Sequence, residues 1–337
     1  KFMRDIFPER EVREYVLNVL ATSLDGTVDH QNFWVWTGLT KMQQGANGKS
    51  CLKDIILKVF GDYAVTASSE LFTGSPAKAE GANSAMMALK GVRLAFADEP
   101  DCKNGLKVTT IKKMTGGDQI SARELHQSQQ TFVIHAKIII LANEIPLPTQ
   151  TDDGYWRRFR PVPFPAKFVD EPDDPRYNGI DVKKKDPSIL QKCSDWRLPI
   201  MHDLLERLAI FKTPRDKKYS YITWNGDVHQ VSGKGRMLKI PQQVKDMVSD
   251  IKREINFVRD WLDDWIVQDP QGVLKWDELK TRRSSDIKAF FRNGEKKLID
   301  AISSLDEGGL GELYGHKHSN RGLRTKDYRA PDGTKHS

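Results

Sequence analysis

A chain of 337 residues has room for two domains, or for one large domain with an appendage, and 38% hydrophobic residues with eight Trp and 14 Phe can fill a real core. A mean hydropathy of −0.57, with no apolar run near the ~20 residues of a membrane helix, excludes a helical membrane protein. Lys and Arg outnumber Asp and Glu by 53 to 46, a net charge of +7 that invites a polyanionic partner, and three Cys in no CxxC spacing exclude a disulfide framework or zinc module.

More than half of the positive excess lies in residues 313–337, with six basic and two acidic side chains. The cysteine usage fits a reducing compartment, so a soluble intracellular protein is expected, neither secreted nor in a membrane. The chain begins at Lys1 with neither a Met nor a signal-type apolar segment, as a fragment of a longer protein would.

Pro8 opens an amphipathic segment with Val12, Tyr15, Val16, Val19 and Leu20 at helical spacing. Residues 32–38 (NFWVWTG) form a bulky β-rich run. A loop then leads to Ser50, after which Leu52, Ile55, Ile56, Val59 and Phe60 give a helical stripe closed by Gly61. Residues 63–67, 92–97 (VRLAFA) and 132–142 (FVIHAKIIILA) read as further strands. Near-continuous apolar strands alternating with helices predict an α/β fold with a mostly parallel, covered sheet.

After Phe164 the chain turns rich in Pro and charge, before a helix around 199–211. Residues 219–231 then place two alternating runs around Asn225-Gly226, a strong hairpin signal. Pro241 starts a long helix through Trp265. Val273, Trp276, Leu279, Ile287, Phe290, Leu298 and Ile299 suggest short helices before a basic hairpin. No internal repeat is visible. The expected organisation is an N-terminal helical segment (1–26), a core (27–211), a hairpin insertion or linker (212–240) and a C-terminal unit with a basic tail (241–337).

The loop between the first strand and its helix reads QQGANGKS, Gln43 to Ser50. A Gly-rich loop feeding a helix N-terminus aims backbone N–H groups at phosphate, Lys49 brings a point charge to the outer phosphates, and Ser50 offers a hydroxyl to Mg²⁺. The strict pattern wants Gly at 43, where Gln43 stands. Gly45, Ala46, Asn47, Gly48, Lys49, Ser50 and Cys51 are the candidate ATP-binding residues. The third strand ends in Asp98-Glu99-Pro100, at the carboxyl edge where open parallel sheets bind ligands. Asp98 is assigned to Mg²⁺, with Ser50, and Glu99 to polarising water.

The fourth strand ends in Asn143, a neutral amide suited to holding the attacking water or γ-phosphate. Arg157 and Arg158 follow; an arginine fork suits a γ-phosphate, and one of the pair is a candidate arginine finger. Between them and the third strand, Gly116-Gly117-Asp118 is a turn, 119–125 an alternating run and 126–130 a polar tip. These make a hairpin just before the Asn143 strand.

Four ordered motifs, GANGKS (45–50), AFADEP (95–100), KKMTGGDQISAREL (112–125) and LANEIP (141–146) followed by DDGYWRRF (152–159), resemble the superfamily III helicases. The likeness is to the poxvirus-type and phage-type primase–helicases of large DNA viruses, phages and plasmids. It spans about 115 residues. The resemblance implies an AAA+-like P-loop ATPase core in a ring, usually a hexamer, translocating on single-stranded DNA with 3′-to-5′ polarity and unwinding forked DNA. It also implies a winged-helix-like C-terminal unit and a primase domain before Lys1. Carried over, Gly45 to Ser50 bind ATP, Asp98 and Glu99 are the Walker B pair, Asn143 is sensor 1, and Arg158, with Arg157 in reserve, reaches a neighbour's ATP. The family's hairpin grips DNA in the channel, for which Arg123, His126 and Lys113 are candidates, with Lys112 and Gln127 behind them.

Two other readings compete: an AAA+-type initiator or loader that binds DNA without processive unwinding, and a DNA-binding assembly module whose ATP site only stabilises oligomers. A small kinase is weaker, because nothing resembles an acceptor lid.

Overall fold

The computed structural model describes residues 1–27, 29–40, 43, 45–73, 84–98, 105–145, 152–222, 228–275 and 319–325. The chain divides into two compact units, Lys1–Val248 and Ser249–Ser337.

In the first unit, α1 (Phe2–Ile6) and α2 (Arg10–Ser23) precede β1 (Phe33–Gly38), and α3 (Lys49–Phe60) leads to β2 (Ala64–Ala67). Then come α4 (Ser84–Met87), β3 (Leu94–Asp98), α5 (Val108–Gly116), β4 (Gln119–Ala122), β5 (Gln130–Val133), β6 (Lys137–Leu141), α6 (Asp153–Trp156) and β7 (Phe159–Phe164). The short pair β8 (Lys167–Val169) and β9 (Val182–Lys184) follows, then α7 (Ile189–Lys212) and the hairpin β10 (Lys218–Ile222) and β11 (Val228–Ser232); α8 (Gln242–Trp265) begins in this unit and continues into the second.

The expected α/β architecture is present as a five-stranded sheet in the order β2-β3-β6-β1-β7, with every pair parallel. Strands buried on both faces read as continuous apolar runs, and β6 (KIIIL) is buried at all five positions. The core joins Trp34, Trp36, Phe96 and Phe164 of the sheet to Val16 and Leu20 of α2 and Leu52, Ile55 and Ile56 of α3. One buried polar tie runs across it, Trp34 Nε1 donating to the Tyr15 hydroxyl at 3.0 Å.

β7 has no counterpart among the predicted strands. Its sequence, FRPVPF, carries two prolines, and a proline cannot donate to a ladder. They stand at alternate positions, Pro161 and Pro163, on a strand that, among the described residues, pairs with β1 alone at the sheet's edge. Both missing N–H groups therefore fall on the outer side, where prolines are tolerated. The run 132–142 is likewise divided: β5 closes a hairpin and β6 enters the sheet.

α7 begins ten residues before the expected start and carries Pro199 inside it. Packing against α2 and α3, with Cys193, Leu204 and Phe211 buried, outweighs the lost backbone bond.

In the second unit, β12 (Ile266–Lys275) pairs antiparallel with β13 (Ser319–Thr325). Val273, expected in a short helix, lies in this strand; the β-branched pair Ile266 and Val267 favours the extended state there. Trp276, Leu279, Ile287, Phe290, Leu298 and Ile299 lie outside the described residues, as do most of the positions on which the winged-helix-like expectation rests.

Candidate functional site

β1, β6 and β3 are neighbours and run the same way, so their carboxyl ends meet at one edge. The Gly-rich loop follows β1 there, Asn143 follows β6, and Asp98 ends β3. Loop geometry explains its glycines: Gly45 and Gly48 have φ of 72° and 84°, and Ala46 follows at 49°, in the left-handed region glycine occupies without strain. At Gly48 a Cβ would also stand 3.0 Å from the Ile6 side chain and 3.3 Å from Phe168. Gly48 caps α3, whose first residues are Lys49, Ser50 and Cys51.

Gln43 has no left-handed φ, so the position does not require glycine. Its buried side chain is an anchor. Nε2 donates to Pro165 O at 2.6 Å, Oε1 accepts from Thr40 Oγ1 at 3.0 Å, and its backbone carbonyl accepts from Asn47 Nδ2 at 2.9 Å. The departure from the strict pattern thus replaces a flexible turn by a side chain tied to the end of β7.

Lys49 is 6% exposed, and its Nζ donates to Asn143 Oδ1 at 3.2 Å. The same oxygen accepts the Gly45 N–H at 3.3 Å. Ser50 is exposed and Cys51 half-buried. Asp98 forms an ion pair with Lys53, one helical turn beyond Lys49. Lys53 was not among the expected residues, although its i+4 spacing from Lys49 could have flagged it. Glu99 lies outside the described residues. The donors present fit a nucleotide with its metal: backbone N–H groups at a helix N-terminus, one buried lysine, a hydroxyl and a carboxylate, where Mg²⁺ needs only one or two protein oxygens.

Arg157 and Arg158 stand at the opposite edge, before β7, whose Phe159 pairs with Phe33 at the start of β1. Arg157 is exposed. Arg158 is 7% exposed and donates to Thr115 Oγ1 (3.2 Å), Gly154 O (2.9 Å) and Gln31 Oε1 (3.0 Å). Burial, then Arg157, pulls its pKa below the ordinary guanidinium value. Gln31 also accepts from Arg157 Nη2 at 3.1 Å, with φ of 49°; nothing in the sequence marks it. These residues line a cavity of about 340 Å³ with His30, Asn32 and Arg160.

The β4–β5 hairpin hangs from the amino end of β6. Arg123, His126 and Gln127 occupy its exposed tip, His126 with φ of 63°, beside Leu125, which is 70% exposed. Gln127 Nε2 donates to Glu124 at 2.9 Å. Lys113 is exposed on α5, whereas Lys112 is bound to Asp152, the residue that caps α6. Lys112 first, and then the Tyr155 N–H, hold the Asp152 carboxyl below its usual range.

A parallel sheet whose first strand feeds a Gly-rich loop and helix defines an α/β protein of the P-loop type. A family of unknown function, DUF5906, matches residues 43–158. A protein named "Putative helicase" from Acanthamoeba polyphaga mimivirus is 32% identical over 210 residues, covering 61% of this chain and 21% of that protein. One of the same description from Frog virus 3 is 28% identical, over 83% of this chain and 27% of its own length. A "Putative primase" of African swine fever virus is 31% identical, over 56% and 19%. The chain therefore spans about a fifth to a quarter of the length of these relatives. The apo C-terminal region of NrS-1 has a TM-score of 0.46 at 12% identity, over 77% of this chain and 55% of that one, a likeness too distant to bear on function. The viral relatives bear out the resemblance to the superfamily III primase–helicases: this chain is a relative of proteins named as helicases and primases of large DNA viruses.

Proposed function

We propose that this chain is the motor of a replicative DNA helicase, a ring-forming ATPase that translocates on single-stranded DNA in the 3′-to-5′ direction and unwinds forked duplex DNA. The observation that carries the reading is the sorting of its polar residues between two sheet edges. Lys49, Asn143 and Asp98 meet at the carboxyl edge, while the arginine pair and the hairpin belong to the amino edge.

In this reading ATP lies on the loop 45–51, with its outer phosphates against Lys49 and the N-terminus of α3. Mg²⁺ held by Ser50 and Asp98 would neutralise charge on those phosphates. Asn143 orients the reacting end without adding negative charge, and Glu99 polarises the attacking water. The six residues of β1 hold the arginines about 20 Å from the loop of their own chain. An arginine finger from this pair therefore acts on a neighbour's ATP, which supports a ring, for which six copies is the family's usual number. Exposure favours Arg157 as the residue that reaches across, with Arg158 anchoring the turn behind it. Arg123, His126 and Lys113 would contact DNA phosphates, Gln127 would support the tip, and Lys112 would serve through its tie to Asp152.

The test is ATP hydrolysis with and without single-stranded DNA, alongside strand separation on a fork. DNA-stimulated hydrolysis with unwinding is expected. Hydrolysis by assembled rings without unwinding would favour a loader, and rings that bind ATP without turnover would favour an assembly module.

A further inference from the structure

The β10–β11 hairpin is not used by the motor as described. Residues 212–239 contain seven Lys or Arg against two Asp, a local excess of five in a chain whose total is +7. Two of these cations are spent at the root: Lys212 binds Asp25 at 2.6 Å, and Arg236 binds Asp25 at 3.2 Å and Asp29 at 2.8 Å. Arg215, Lys217 and Lys218 are exposed and make no ion pair among the described residues.

The hairpin is firmly seated. Lys234 N donates to Ile210 O at 3.0 Å, Gly235 N to Thr213 O at 2.9 Å and Arg236 N to Phe211 O at 2.8 Å, tying the chain after β11 to the last turn of α7 and to the Thr213 that caps it. A Cβ on Gly233 would fall 2.2 Å from Pro214 O, so the crossing is close-packed. Beyond this root the ribbon has five residue pairs and, among the described residues, no third strand. One face carries Lys218 and Ser220 opposite Ser232 and Gln230, all exposed. Lys, Ser and Gln are side chains that contact phosphate oxygens.

Its root is shared with the β4–β5 hairpin. Lys137, the first residue of β6, donates to Thr22 O at 2.9 Å and Thr27 O at 3.4 Å. Thr22 closes the last turn of α2 and Thr27 lies in the α2–β1 connection that supplies Asp25 and Asp29. Both hairpins therefore stand on one polar cluster at the amino edge of the sheet.

We propose that β10–β11 is a second DNA contact, gripping the phosphate backbone of the duplex ahead of the strand held by β4–β5. A two-stranded ribbon is of a size the major groove admits, and the exposed cations match its charge. The identity of the partner rests on the helicase reading above.

The experiment measures binding of the full chain to forked and to single-stranded DNA across salt concentrations, for the parent and for Lys217→Glu with Lys218→Glu. Fork affinity should fall roughly tenfold near 0.1 M salt, and the slope of log K against log salt should shrink by about two, one for each lost phosphate contact. Single-strand affinity should stay within about twofold, because those contacts belong to the other hairpin. Lys217→Gln with Lys218→Gln, which removes charge without adding repulsion, should move fork binding the same way by a smaller factor. Unchanged fork affinity and slope overturn the proposal, as does an equal loss on both substrates. A parent that binds DNA while the variants are indifferent sinks this inference alone; a parent that binds no DNA sinks the helicase reading with it.

Discussion

Asn143 accepts from Lys49 Nζ at 3.2 Å and from the Gly45 N–H at 3.3 Å through a single amide oxygen. A neutral acceptor steadies both donors yet releases them to phosphate at little cost, whereas a carboxylate there would hold Lys49 by charge. Asn143→Asp is therefore expected to weaken ATP binding at least tenfold, or about 1.4 kcal/mol, measured by calorimetry without DNA. Asn143→Ser should bind ATP well but turn over on the order of a hundredfold more slowly, through loss of an oriented polar group. Parent-like ATP affinity in the aspartate variant would remove Asn143 from the phosphate site.

The Lys53–Asp98 pair makes a second prediction. In the absence of a divalent cation Asp98 is satisfied by Lys53, whose side chain is 12% exposed. Metal and lysine compete for one carboxylate. Lys53→Met should lower the Mn²⁺ concentration needed to fill the site with ADP bound, by roughly three- to tenfold, since the lysine's charge no longer opposes a cation. Electron paramagnetic resonance of free Mn²⁺ reads this without any turnover. A variant that binds Mn²⁺ more weakly would mean that Lys53 assists the metal.

What could be read from the sequence follows from how locally each feature is encoded. The loop from Gly45 to Lys49 was legible because phosphate binding needs left-handed backbone and a helix N-terminus within a few residues. The β4–β5 hairpin was legible from its Gly-Gly-Asp turn and alternation. β7 was not, because its prolines argue against a strand unless the strand is known to lie at an edge, and edge position is set by the whole sheet. Gln43 looked like a defect in a pattern; only the fold brings Pro165 beside it. Gln31 holds two arginines more than 120 positions away, and no local signal encodes that.

Arg157 and Arg158 should separate cleanly on mutation. Arg158→Ala removes a buried guanidinium with three hydrogen bonds, takes this donor from Thr115 Oγ1 and Gly154 O, and leaves Gln31 Oε1 with Arg157. A loss of about 2–4 kcal/mol is expected in chemical denaturation. Arg157→Ala, at an exposed position, should leave stability within about 0.5 kcal/mol while cutting turnover on the order of a thousandfold in assembled rings. Mixing it with Glu99→Ala subunits should restore part of the activity, with subunit exchange measured in parallel. Equal turnover in Arg157→Ala and the parent would return the finger to Arg158.

Lys137 gives the fold a pH dependence of known sign. Burial first, opposed by Asp25 and Asp29, pushes its pKa down from 10.5 to about 8. Between pH 8 and 10.5 the unfolded chain therefore holds a proton on this lysine that the folded chain has released. Stability rises with pH wherever the unfolded state binds more protons, so this group's penalty is full below pH 8 and relieved toward pH 10.5. Lys137→Met carries no such term. The unfolding free energy of the parent, relative to that variant, should climb by about 3 kcal/mol from pH 7.5 to 10.5. Urea denaturation of both proteins at the two pH values measures it, and subtracting the variant cancels every other titrating group. A flat difference would show that the ammonium is paired well enough with Asp25 and Asp29 to keep its charge, and that the root of both hairpins is a permanent ion cluster.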